Sequence, residues 1–209
     1  QHVLNGKIPF LKFFLKQELI RVPIMGQAWW ALDFPFMKRF SKSYLEKYPE
    51  MKGKDIETTQ NACKKFKYIP TSVMNFFEGT RFTPEKHTKQ QSPYKHLLNP
   101  KSGGFAFALN AMGNKFQSLL DCTIVYPEGI PSFADFMHGK IPKIIVRIRE
   151  VPIPADFCQG DYENDAEFKY QFQSWVSDIW QEKDKEIDRL YKQECLIEGG
   201  QTKGGHLNY

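Results

Sequence analysis

The sequence predicts an α/β fold, a mixed sheet flanked by helices. Three observations predict the α/β class. Segments with helical apolar spacing alternate with short apolar segments that end in turn residues. Lys143 to Glu150 alternates in period two, with Ile144, Val146 and Ile148 on one face and Ile145, Arg147 and Arg149 on the other. Asp165 to Glu194 is charged except for one stripe, Phe168, Phe172, Trp175, Ile179, Ile187 and Leu190, which is the pattern of a long surface helix.

The remaining elements follow in order. Phe10 to Arg21 has Leu11, Phe14, Leu15 and Leu19 at helical spacing and predicts a helix, ended by Pro23 and Gly26. Gln27 to Leu32, with Trp29 and Trp30, is short and apolar. Phe34 to Phe40 predicts a strand closing in Lys38-Arg39. Gly53 to Tyr68 predicts a helix through Ile56, Thr59, Ala62, Cys63 and Phe66, stopped by Pro70. Thr71 to Phe77 predicts a strand that runs into Glu78-Gly79-Thr80-Arg81. Thr83 to Lys101 is polar and basic and predicts a loop. Gly103 to Met112 predicts an Ala- and Phe-rich helix, Asp121 to Tyr126 a strand, and Pro152 and Pro154 end the strand before them. The chain reads as one domain over residues 1–195 with a glycine-rich flexible tail from 196 to 209.

Composition narrows the function classes. With 41% hydrophobic and 25% charged residues among 209, the chain is not disordered as a whole. The 18 Phe, 9 Tyr and 4 Trp predict greasy surfaces as well as a core. Lys plus Arg is 29 against 24 for Asp plus Glu, a net +5 that suits anionic partners. RNA is disfavoured, since there is no RNP motif, GXXG loop or dense Arg cluster. Cys63, Cys122, Cys158 and Cys195 have no CxxC spacing, so a zinc ribbon or redox site is unsupported, and no metal site is expected. No apolar run reaches the roughly 18 residues of a membrane span, and Gln1 to Asn5 is no signal peptide.

The chemistry concentrates in one turn. Glu78-Gly79-Thr80-Arg81 follows an apolar strand, where α/β sheets place their sites. Gly79 permits positive φ or close approach of a ligand. Arg81 offers a planar donor fork for a phosphate or carboxylate, Thr80 a hydroxyl, and Glu78 an acceptor. The same residues also fit a plain glycine turn with a surface Glu–Arg pair. Lys38 and Arg39 point to opposite faces of a strand, so at most one meets a given ligand, and two solvated charges is the plainer reading. Lys16 is either a ligand cation or a snorkelling side chain. Trp29 and Trp30 suit a membrane interface or a core. The histidines, His2, His87, His96, His138 and His206, form no HExxH, and none is followed by Asp five residues on. GxSxG, Walker A and GxGxxG are also absent.

Phe77-Glu78-Gly79-Thr80-Arg81 resembles the F-x-E-G-T/S-R motif of the glycerolipid (lysophosphatidic acid) acyltransferase family. Phe14-Leu15-Lys16-Gln17-Glu18-Leu19 with Val22-Pro23-Ile24-Met25-Gly26 resembles its K-x-E-L…P-x-x-G block. Phe36-Met37-Lys38-Arg39 resembles its strand ending in a basic residue. Leu98-Asn99-Pro100-Lys101 with Gly104-Phe105, then Thr123 to Tyr126, resemble its later blocks. Trp180-Gln181-Glu182-Lys183-Asp184 resembles the closing W…KD signature of the branch with lysocardiolipin-type enzymes. Within the family the pattern resembles the bacterial YihG-type branch.

The resemblance implies transfer of a fatty acyl group to a lysophospholipid, with acyl-CoA or acyl carrier protein as donor and no bound cofactor. It implies phosphate recognition by Glu78, Gly79, Thr80 and Arg81, with Lys38, Arg39 and Lys16 as further cations. It implies a membrane surface as partner, the cytoplasmic face of a bacterial inner membrane as location, and no nucleic acid. The family's base is the His of N-H-x-x-x-x-D, oriented by the Asp. That motif does not occur here, so the resemblance places the His and Asp, with the family's membrane anchor, upstream of Gln1. The alternative is a non-catalytic lipid- or phosphate-binding module.

Overall fold

The computed structural model describes residues 6–9, 11–13, 15–32, 34, 36–37, 44, 47–51, 54, 57, 60–61, 70–116 and 118–201. The chain divides into two compact units. The first is Gln1–Gly79 with Lys101–Gln117 and Pro154–Phe172; the second is Thr80–Pro100 with Ser118–Ile153 and Gln173–Tyr209.

In the first unit, β1 (Leu11–Phe13) runs parallel to β4 (Ser72–Met74), and β2 (Leu15–Lys16) runs parallel to β3 (Phe36–Met37). The helix expected from Phe10 to Arg21 is therefore a correction: two short strands are followed by a 3-10 turn, Gln17–Arg21. Strands of two or three residues are too short to show period two, and their partners lie far along the chain, so pairing overrides local spacing. Lys12 is buried in β1, and its Nζ donates to the Leu32 carbonyl at 3.2 Å.

Helix α1 (Met25–Ala31) forms where only a short apolar segment was expected. Its Gly26 is required by close approach. A Cβ there would sit 2.2 Å from the Ile20 carbonyl oxygen, which explains the glycine of the P-x-x-G block. Of the strand expected from Phe34 to Phe40, Phe36 and Met37 are paired, Phe34 is buried outside any strand, and residues 35 and 38–40 lie outside the described residues. The helix expected over 53–68 is described only at Lys54, Glu57, Gln60 and Asn61, all helical.

The core of this unit is aromatic. α3 (Ser102–Met112) buries Phe105 to Leu109, Ala111 and Met112, as a helix apolar on most sides must. Phe105 packs on Phe77 at 4.7 Å and on Phe172 at 5.7 Å between ring centroids. Phe172 is fully buried and meets Phe157, Tyr162 and Phe168. Offset and edge-on rings of this kind contribute beyond their buried area.

In the second unit, β5 (Ser118–Val125) and β6 (Ile145–Pro152) form an antiparallel ladder from Ser118↔Pro152 to Val125↔Ile145. Pro152 closes this ladder from within, at its last position, where a missing N–H is tolerated. Among the described residues the strands make three two-stranded sheets, two parallel and one antiparallel, which with the helices agrees with the expected α/β class.

The loop expected from Thr83 to Lys101 contains α2 (Pro84–Gln90), a second correction. Thr83 caps it, accepting from the Lys86 N–H at 3.3 Å; Pro84 opens it and Gln91 ends it at φ 48°. Thr-Pro-Glu is a helix-start signature, but the helix carries no apolar residue and so shows no period. α4 (Phe133–Met137) starts in a Ser132–Asp135 capping box.

α5 (Ala166–Gln201) is the expected long helix, extended past Glu194. Asp165 accepts the Phe168 N–H at 3.0 Å at its start. Its turns to Phe172 belong to the first unit and the rest to the second, where Val176, Ile179, Trp180, Ile187 and Leu190 are buried. Among the described residues no helix is long and apolar enough to cross a membrane.

Candidate functional site

The turn after β4 is built from its anchors outward. Phe77 is buried against Phe105 and fixes the end of the strand. The Phe77 carbonyl accepts the Lys101 N–H at 2.6 Å, and the Phe76 carbonyl accepts the Gly79 N–H at 3.0 Å. Gly79 sits at φ +65°, in the left-handed region that favours glycine. The Lys101 side chain lies over it: a Cβ on residue 79 would be 3.3 Å from Lys101 Cδ and 3.5 Å from its Nζ. Glu78 beside it is half-buried. These residues all belong to the first unit.

Thr80 and Arg81 open the second unit. Both are exposed. Lys86, five residues beyond Arg81 in the first turn of α2, reaches back to them. Its Nζ donates to Thr80 Oγ1 at 2.8 Å and to the Arg81 carbonyl at 3.1 Å. No hydrogen bond or ion pair engages the Arg81 guanidinium among the described residues. An unpaired, exposed Arg fork and an exposed threonine hydroxyl on consecutive residues are donors suited to an anion.

The other expected cations do not join this picture. Lys16 pairs through its backbone opposite Met37, and its side chain lies outside the described residues, as do Lys38 and Arg39. Lys86 and Lys101 were not singled out by sequence reasoning. The capped start of α2, which returns Lys86 toward Thr80, was the available signal.

Each of the three described histidines has one ring nitrogen committed to a neighbour. His87 Nε2 contacts the Tyr94 carbonyl at 2.6 Å and must donate to it. His138 Nδ1 likewise meets the Ala134 carbonyl at 2.7 Å. His96 Nε2 lies 3.3 Å from Asp188, but that carboxylate is already held by Lys95 at 2.5 Å and Lys192 at 2.6 Å. Burial pushes the Cys158 thiol up, away from reactivity. No cluster of three metal-ligating side chains occurs among the described residues.

The W…KD block serves architecture. Trp180 Nε1 donates to the Leu98 carbonyl at 3.0 Å. Asp184 accepts the N–H groups of Lys95 at 2.9 Å and His96 at 2.7 Å. Lys183 donates to Asp121 and to the Cys122 carbonyl, both at 2.7 Å. Asp121 is buried, stands opposite Arg149 in the ladder and also accepts from it at 3.1 Å. Sequence reading named Asp121 only as a strand start.

A family model described as Acyltransferase matches residues 3–130. The chain belongs to that family. A mouse (Mus musculus) 1-acyl-sn-glycerol-3-phosphate acyltransferase gamma is 28% identical over 210 residues, covering 95% of this chain and 50% of that protein. A human (Homo sapiens) 1-acyl-sn-glycerol-3-phosphate acyltransferase delta is 26% identical over 192 residues, 87% of this chain and 46% of that protein. A chicken (Gallus gallus) lysocardiolipin acyltransferase 1 is 26% identical over 204 residues, 91% and 49% respectively. The chain thus spans about half the length of the curated relatives it matches. No solved structure matches it. The acyltransferase match covers the E-G-T-R turn and α2 but ends before α5, so the closing clasp lies outside the matched segment.

Proposed function

We propose that this acyltransferase-family chain recognises the phosphate of a lysophospholipid, such as 1-acyl-glycerol-3-phosphate, in an enzyme that acylates the lipid hydroxyl. The observation that carries the reading is the Arg81 guanidinium, exposed and unengaged among the described residues, beside Thr80 and Lys86 in the family's E-G-T-R block. Glu78 and Gly79 complete the block, and Lys38, Arg39 and Lys16 supply further positive charge in this reading.

The reaction is an acyl transfer. The acceptor hydroxyl loses its proton to a histidine and its oxygen bonds to the thioester carbonyl carbon. The carbon–sulfur bond then breaks, and the thiolate of coenzyme A or acyl carrier protein leaves and takes a proton. In this reading that histidine belongs to the family's N-H-x-x-x-x-D motif. The chain's own part is to hold the phosphate, and so the hydroxyl, at a fixed distance from the base.

A lipid acceptor requires a membrane contact, and the segment from Lys7 to Trp30 supplies a face for it. There Ile24, Met25 and Trp30 are 79%, 49% and 68% exposed, and Lys7 and Arg21 in the same segment are exposed as well. The reading places the enzyme on the cytoplasmic face of a membrane, with each basic residue near an anionic surface adding about 1 kcal/mol.

The experiment is acyl transfer from acyl-CoA by the protein as its gene encodes it, on mixed vesicles, with lysophosphatidate or monoacylglycerol as acceptor. Transfer to lysophosphatidate alone, with salt-sensitive sedimentation on anionic vesicles, is the expected result. Selective lysophosphatidate binding without transfer would make the protein a lipid-binding module. Equal use of both acceptors would remove the phosphate role.

A further inference from the structure

We propose that Lys86 is the positioning residue of the Thr80–Arg81 turn, and that it converts the Thr80 hydroxyl into a dedicated donor toward an anionic headgroup. The inference rests on the reading above and names a residue outside the E-G-T-R block.

The argument is one of donors and acceptors. A threonine hydroxyl has one proton and two lone pairs, and it rotates to suit its neighbours. An ammonium has donors only. When Lys86 Nζ donates to Thr80 Oγ1 at 2.8 Å, one lone pair is filled by a charged donor. The hydroxyl proton is then directed away from Lys86. Thr80 is exposed, so the proton points into solvent, where an anion would stand. The same ammonium donates to the Arg81 carbonyl at 3.1 Å. It thereby ties together the two residues whose side chains would meet the ligand.

Lys86 is itself held. Its backbone N–H donates to Thr83 Oγ1 at 3.3 Å, and Thr83 caps α2. Pro84 fixes the first turn of that helix. The neighbouring acid is Glu85, whose carboxyl is kept below its ordinary range by a backbone hydrogen bond first and by Thr83 second. Glu85 is exposed and takes its hydrogen bonds from backbone and Thr83; Lys86 acts on it as a weaker through-space charge, while the Lys86 ammonium donates to Thr80 and to the Arg81 carbonyl. The cap, the proline and the lysine thus serve one geometry, although none of them belongs to the motif that names the site.

The test is binding first and kinetics second. Isothermal titration would use a soluble short-chain lysophosphatidate and the matching monoacylglycerol as probes. The wild-type protein is expected to bind the phosphate-bearing probe and not the other. Lys86→Met should weaken that binding about tenfold, the range of one charge-assisted contact, and Lys86→Arg should restore most of it. In a Thr80→Val background the Lys86→Met loss should shrink to about twofold or less, because Lys86 acts through Thr80. In acyl transfer, Lys86→Met should raise the acceptor KM and leave the acyl-CoA KM unchanged.

Selective wild-type binding that Lys86→Met leaves intact would overturn the inference and spare the functional reading. A loss equally large with Thr80→Val present, or a fall in kcat with both KM values unchanged, would reduce Lys86 to a fold-supporting residue and overturn it too. Failure of the wild-type protein to prefer the phosphate-bearing probe would overturn both.

Discussion

Two charged blocks of the second unit, read side by side, behave in opposite ways. In the W…KD block Trp180, Lys183 and Asp184 are turned onto the fold, while Gln181 and Glu182 between them are exposed. Trp180 is bound to Leu98, Asp184 to two backbone N–H groups, and Lys183 to Asp121. In the turn at Thr80–Arg81 the backbone is held, by Lys86, while the Arg81 guanidinium and the Thr80 side chain face solvent. A charge that the fold has already neutralised contributes to architecture. A charge that the fold has positioned but not neutralised is free for a ligand. The difference separates two motifs that look equally catalytic on paper.

The largest effect that sharpens this comparison is on stability. Trp180→Ala removes a buried indole and leaves the buried Leu98 carbonyl without its donor. The expected loss is about 3–5 kcal/mol, which is a large share of a domain's stability. Chemical denaturation would measure it. A loss under about 1 kcal/mol would mean that the block is not a clasp. Lysophosphatidate affinity of whatever fraction remains folded should be unchanged, since none of the clasp contacts touches Thr80, Arg81 or Lys86.

Arg81→Ala should do the reverse. Arg81 is exposed and no ion pair holds its side chain among the described residues, so stability should stay within about 0.5 kcal/mol of wild type. Use of lysophosphatidate should fall about ten- to a hundredfold, the worth of roughly 1.5–3 kcal/mol for a charge-assisted contact. Unchanged kinetics, or a destabilisation matching that of Trp180→Ala, would erase the distinction between the two blocks.

How much of this was legible depended on where the information sits. β6 and α5 carry their own period over eight or more residues, so the sequence showed both. β1 and β2 did not, because strands of three and two residues take their identity from partners elsewhere. α2 has no apolar face; only Thr83, Pro84 and Glu85 announce it. The site divides similarly. Arg81 and Thr80 stand inside a recognisable block. Lys86 and Lys101 act on that block from outside it, by contacts that exist only once α2 is capped and Lys101 is tied to Phe77. The W…KD block was visible as a signature, but its purpose was not. Only the distances to Leu98, Lys95 and Asp121 show that it fastens the chain.

The smallest effect concerns a third charge cluster, which tests whether inward-turned charges always matter. Asp188 accepts from Lys192, Lys95 and His96, and these three donors hold its carboxyl well below the ordinary value of 3.8. A depressed carboxylate pKa means that the native state prefers the charged form. Its stabilisation is complete above the unfolded value and declines as pH falls below it. Lys95 and Lys192 are exposed, so water and salt screen most of the interaction. Asp188→Asn should therefore lower the midpoint of thermal unfolding slightly at neutral pH, and the difference from wild type should narrow as pH drops below about 4. A difference that stays constant down to about pH 2.5, or one as large as that of Trp180→Ala, would place Asp188 among the structural clasps. A small and acid-sensitive difference leaves Trp180, Lys183 and Asp184 as the group that joins α5 to its neighbours.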